Sequence, residues 1–110
     1  MKFLVSVFAM LGLVLAGTVS AQADTPGYVT TQEYVDVQKD WTKKRVHKKF
    51  DTNGVTNEVW KKNGHDFEQR RYLTNQSGNV VYVNFRKKDG EGAWRLRGKM
   101  WCTTQGCVTG

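Results

Sequence analysis

Between Asn79 and Cys102, two runs of alternating apolar and polar residues flank the turn-forming tetrapeptide Asp89-Gly90-Glu91-Gly92. In the first run Val81, Val83 and Phe85 share one side, and Tyr82, Asn84 and Arg86 the other. This is the period of two expected of a half-buried strand. In the second run strict alternation places Trp94, Leu96 and Met100 on the apolar side, and Arg95, Arg97, Lys99 and Trp101 opposite them. An antiparallel hairpin accommodates both runs, with the glycines free to reverse the chain. Its apolar side needs a cover, and that requirement organises the reading of everything upstream.

The cover is supplied by two short helices. Thr30 and Glu33 have the spacing of a capping box, and Val29 and Tyr34 that of a hydrophobic staple, so a helix is predicted over residues 31–39 with Tyr34 and Val37 inward. Thr42 caps a second helix, with Trp41 and Val46 in the same staple relation and Val46 and Phe50 one turn apart on its apolar stripe. Asp51-Thr52-Asn53-Gly54 ends it, with Gly54 in the left-handed conformation. From Val55 onward the pattern is strand-like: residues 55–62, a turn at Asn63-Gly64-His65-Asp66, residues 67–74, a turn at Asn75-Gln76-Ser77-Gly78, then the hairpin. No connection is long enough for a parallel crossover. The predicted fold class is α+β, with two N-terminal helices packed on one face of a four-stranded antiparallel meander sheet.

Met1–Ala23 reads as a secretory signal peptide: Lys2, an apolar run from Phe3 to Leu15, and the small-x-small site Ala21-Gln22-Ala23. The run is shorter than the roughly 18–20 residues of a membrane span, so no span is expected. Cleavage after Ala23 predicts a secreted chain of a single domain, 24–110. Only one lysine leaves with the leader, so 16 Lys and Arg face 10 Asp and Glu in what remains. That surplus points to an acidic protein, an anionic envelope component or another polyanion as partner. Export also makes a disulfide between Cys102 and Cys107 the expected state, tying down a C-terminal tail.

If the helices cover the apolar side, the opposite face of the sheet displays Tyr82, Arg86, Arg95, Arg97, Lys99 and Trp101, with Trp60, Arg70 and Tyr72 added by the neighbouring strands. Aromatic and arginine side chains together are the composition of protein-binding hot spots. The competing account is that cross-strand aromatic–cation pairs merely cover a solvated face. A second candidate surface is the basic helix, where Lys43, Lys44, Lys48 and Lys49 could follow a polyanion or an anionic envelope. A solvated basic helix face accounts equally for that run, and export argues against a nucleic-acid role.

The run Val29-Thr30-Thr31-Gln32-Glu33-Tyr34-Val35-Asp36-Val37, then Trp41-Thr42-Lys43-Lys44-Arg45-Val46, then Phe50-Asp51-Thr52-Asn53-Gly54, resembles the two-helix entry of the β-lactamase-inhibitory-protein-like domains. Small outer-membrane lipoproteins of the SmpA/OmlA type look similar in the same region. The resemblance implies two helices followed by a four-stranded antiparallel sheet, a bacterial or phage origin, and protein contact through the exposed sheet face. It does not imply β-lactamase inhibition here. The chain has one such domain rather than two, and Asn75-Gln76-Ser77-Gly78-Asn79 lacks a carboxylate where the inhibitors carry their inhibitory aspartate.

Nothing in the sequence assembles a catalytic site. His47 and His65 are the only histidines and both lie in strongly polar surroundings, while Asp66 and Glu68 lack a second supporting feature. The Cys102–Cys107 spacing is not that of a redox or zinc pair. The expectation is a small secreted, non-enzymatic, monomeric binding module that uses no cofactor and no metal.

Overall fold

The computed structural model describes residues 26–88 and 92–110. Helices α1 (Thr31–Asp36) and α2 (Lys43–Phe50) precede strands β1 (Val55–Lys62), β2 (His65–Leu73), β3 (Val80–Lys88), β4 (Arg95–Thr103) and β5 (Gly106–Thr109). The strands form one antiparallel sheet in the order β1-β2-β3-β4-β5. The proposed leader Met1–Ala23 and most of the Asp89-Gly90-Glu91-Gly92 turn lie outside the described residues.

Two features of the predicted fold class need correction. The sheet has five strands rather than four, because the segment after Cys102 does not trail as a tail. It turns at residues 104–105 and pairs back on β4, with Cys102 opposite Cys107 and bonded to it as a disulfide. The helices, moreover, occupy residues 31–50 and do not stand at the N-terminus of the chain.

Both helix starts follow from their caps. Thr30 accepts from the Glu33 backbone N–H at 3.1 Å while the Glu33 carboxylate accepts from the Thr30 N–H at 3.0 Å, the reciprocal box that satisfies two orphan donors. Thr42 accepts from the Arg45 N–H at 3.2 Å. α1 stops at Asp36 instead of reaching residue 39, because Val37 is already extended. The Val37 carbonyl, with those of Tyr34 and Val35, accepts from the ammonium of Lys99. α2 closes on Asp51, which takes the left-handed conformation (φ 58°) expected of Gly54. Gly54 is also left-handed, and a Cβ there would lie 2.6 Å from the Arg71 carbonyl and the Tyr72 ring, so no other residue fits. Asn63 and Gly64 both have positive φ, the two-residue reversal that fits the twist of a hairpin, and His65 and Asp66 therefore belong to β2.

The core lies between the helices and one face of β2–β4: Val29, Tyr34, Val37, Val46 and Phe50 pack against Tyr72, Val81, Val83, Phe85, Leu96 and Trp101. Burying each of the larger side chains contributes about 1.5–3 kcal/mol. The alternation in β3 follows the sequence reading, whereas β4 departs from it. Phe85 pairs with Leu96 but Asn84 pairs with Gly98, so Arg97 is an extra residue in a β-bulge. Beyond the bulge the faces exchange. Lys99 and Trp101 stand opposite Val83 and Val81 on the helix side, and Met100, expected inside, stands opposite Tyr82 on the outer face.

The free edge of β4 is covered in two pieces. β5 pairs with Met100–Thr103, while the segment between the helices runs along its other end, with Asp40 donating to the Leu96 carbonyl and Leu96 to that of Trp41. Arg97 and Gly98 lie between the two covers.

Candidate functional site

The pairing register assigns side chains to faces. Since Val81, Val83 and Phe85 face the helices, their partners Tyr72, Arg70 and Glu68 do so as well. Of the residues predicted for the outer face, Tyr72 is fully buried and Trp101 is 8% exposed, both within the core. Arg70 lies on the helix side too, where it donates to the Glu68 carboxylate at 2.7 Å and to the Asn53 carbonyl at 2.8 Å. Tyr72 and Arg70 were misplaced because β2 carries polar and apolar residues on both parities, so only its register against β3 chooses the face. Trp101 was misplaced by the bulge. Leu73 takes the solvent side instead and is half-exposed.

The outer face retains Trp60, Tyr82, Arg86 and Arg95. Trp60 on β1 stacks on Phe67 with ring centroids 5.3 Å apart and planes 5° from parallel. Phe67 is paired with Arg86, and Arg86 with Arg95, so two guanidinium side chains stand directly opposite each other on adjacent strands. Arg95 donates to the Asp40 carbonyl at 3.0 Å. Arg97, in the bulge, is exposed at the sheet edge, 3.7 Å from an Asp40 carboxylate oxygen. The register keeps Asn84 on this face, as its parity in β3 predicts, and adds three residues that the sequence reading missed: Phe67, Arg71 and Gly98. The sharp Asn63-Gly64 reversal was their available signal, since a two-residue turn pins Lys62 to His65 and hence Trp60 to Phe67.

A cleft of about 610 Å³ opens at the exposed edge of β4 between Val37 and the end of β5. Tyr82, Asn84, Gly98 and Met100 line it from the outer face, and Arg97 from the edge. The Asn84 amide oxygen is buried there without a hydrogen-bond partner.

The basic helix is less available than its sequence suggests. Lys43 donates to Glu68 at 2.8 Å, and Lys49 lies 3.2 Å from the Asp36 carboxylate. Lys44 and Lys48 remain exposed. Arg45 lies 3.8 Å from the ring of Trp41, and Lys43 and Lys87 flank Trp94 at 5.0 and 5.2 Å.

Under α2 lies a polar cluster that the sequence did not reveal. Glu68, 6% exposed, accepts from Lys43, from Thr56 at 2.6 Å and from Arg70. Burial pushes its carboxyl up, but those hydrogen bonds and the charges of Lys43 and Arg70 more than offset it and hold it below the usual glutamate range. Beside it His47 lies 2.8 Å from the Tyr72 hydroxyl. Burial, reinforced by the positive charges of Arg70 and Lys43, lowers His47 to about 4, and burial raises the Tyr72 phenol. The half-buried, neutral imidazole has the Tyr72 hydroxyl as its hydrogen-bond partner. No group of three or more His, Cys, Asp or Glu suited to a metal lies among the described residues, and no helix there is long and apolar enough to cross a membrane.

No family model, curated protein or solved structure matches the chain. The disulfide fits an oxidising environment.

Proposed function

We propose that this protein is a small exported, non-enzymatic binding module that receives an acidic protein partner on the outer face of its sheet, with Met1–Ala23 as its export signal and a kinship to the β-lactamase-inhibitory-protein-like domains. One observation carries the reading. The helices pack on one face of the sheet, and the other bears Trp60, Phe67, Arg71, Tyr82, Arg86 and Arg95 in two rows without a carboxylate, with Glu58 at the β1 end of the row between them. Such a surface combines rigid apolar area with directed cationic donors, which suits a partner rich in Asp and Glu. Arg97 belongs to the rim, while Arg70, Tyr72 and Trp101 support the face from below. Polyanion binding through α2 has less to draw on, since Lys43 and Lys49 are engaged with carboxylates and only Lys44 and Lys48 stay free.

The test is capture of exported proteins on the immobilised, oxidised protein. Combined replacement of Trp60, Arg86 and Arg95 by alanine should abolish capture, and Lys44→Ala with Lys48→Ala should leave it intact. The reverse pattern would sink the reading and favour the helix.

A further inference from the structure

Three rows of side chains cross the outer face at right angles to the strands. Trp60, Phe67, Arg86 and Arg95 form the first; Glu58, Gln69, Asn84 and Gly98 the second; Val55, Arg71, Tyr82 and Met100 the third. The first and third are built of large side chains. They stand about 13 Å apart, four residues along a strand at ~3.3 Å each. The row between them shortens toward β4 and ends at Gly98, where an added Cβ would meet nothing within 4 Å. A groove therefore runs across β3 and β4, with Asn84 and Gly98 as its floor, and enters the cleft of about 610 Å³ at the β4 edge.

Over β3 and β4 one wall is cationic, formed by Arg86 and Arg95, and the other is formed by Tyr82 and Met100, with Arg71 next in that row on β2. Arg86 and Arg95 face each other with like charge, an arrangement that is unfavourable until an anion lies between them. Arg95 is steadied by the Asp40 carbonyl, whereas the side chains of Arg86 and of Arg71, beside Tyr82 on β2, make no hydrogen bond or ion pair with any described residue. Glu58, the one carboxylate in the three rows, sits at the far end on β1. On the floor, the buried Asn84 amide oxygen lacks a donor. Guanidinium groups held in pairs match the two oxygens of a carboxylate. A nucleic-acid strand fits less well, since Trp60 and Phe67 stack on each other, which leaves Tyr82 as the one ring of these rows free to stack on a base.

We propose that this groove is a binding site for an extended acidic peptide segment, laid across the strands, with one carboxylate between Arg86 and Arg95 and another at Arg71. The proposal rests on the outer sheet face being the binding surface, and assigns that surface its ligand.

The probe is a fluorescein-labelled hexaglutamate peptide, titrated with the oxidised full chain by fluorescence anisotropy at low salt. Saturable binding is expected. Gly98→Leu places a side chain in open space, so it should keep the melting temperature while weakening binding at least tenfold. Arg71→Glu gives the same readout from the other wall should Gly98→Leu perturb the fold. A labelled hexathymidylate of similar charge should bind at least tenfold more weakly than the peptide. Absence of peptide binding, or equal or tighter binding of the oligonucleotide, overturns the proposal. If Arg86→Ala with Arg95→Ala removes peptide binding but Gly98→Leu and Arg71→Glu do not, the groove fails and the sheet face stands. If only Lys44→Ala with Lys48→Ala removes it, the sheet face fails as well.

Discussion

His47 Nε2 lies 2.8 Å from the phenolic oxygen of Tyr72, and the imidazole meets the rings of Tyr72 and Phe85 edge-on. This pair joins α2 to the middle of the sheet, with Tyr72 fully buried and the neutral imidazole half-buried. The charged groups around it are Lys43 on its own helix and Glu68 and Arg70 from β2, and their net positive charge adds to the cost of protonating the ring.

A pH dependence follows. The folded-state pKa of His47 is lowered from 6.5 to about 4, so between those values the unfolded chain binds the proton more readily. Stability attributable to this group is full above pH 6.5, falls as the pH drops toward 4, and then levels off. Discounting for partial exposure of the ring, the loss is about 2 kcal/mol. Urea unfolding at pH 7 and pH 4.5 should show it, and His47→Asn should be less stable at pH 7 yet lose most of this slope. An unchanged slope in the variant would assign the effect to the carboxylates.

Lys99 closes α1 from across the fold. Its ammonium donates to the carbonyls of Tyr34 at 2.6 Å and Val37 at 2.9 Å, and lies 4.6 Å from the Tyr34 ring. Replacement by Met keeps the stem and removes the donor, leaving these carbonyls short of partners. The expected cost is about 1–2 kcal/mol, with faster amide hydrogen exchange concentrated in α1. A uniform loss of protection across the sheet would mean that the side chain acts through packing alone.

The Cys102–Cys107 bond closes a loop with a separation of only five residues. Reduction should therefore cost about 2 kcal/mol or less, release β5, and leave β1–β4 paired. Amide exchange under reducing conditions should show fraying confined to residues 103–110. Global unfolding would show instead that the covered edge of β4 is indispensable.

Local chemistry made several elements legible. The Thr30–Glu33 box and the Thr42 cap announce both helices, and the β3 alternation announces which residues of that strand meet them. The partial misreading of the site has two physical sources. Arg97 enters as a bulge, and one extra residue exchanges the faces of everything after it, which carries Lys99 and Trp101 inward. In β2, Arg70-Arg71-Tyr72-Leu73 offers a large side chain on either parity, so the strand has no local preference to express.

By itself, the sequence determined the helix caps, the presence of a turn at Asn63-Gly64, the inward row of β3 and the disulfide, because each depends on residues close together along the chain. Only the tertiary structure decided the pairing of β5, the face taken by Tyr72 and Trp101, and the alignment of Arg86 with Arg95 above the gap at Gly98. Those depend on register between strands, and register is a property of pairs that no single strand contains.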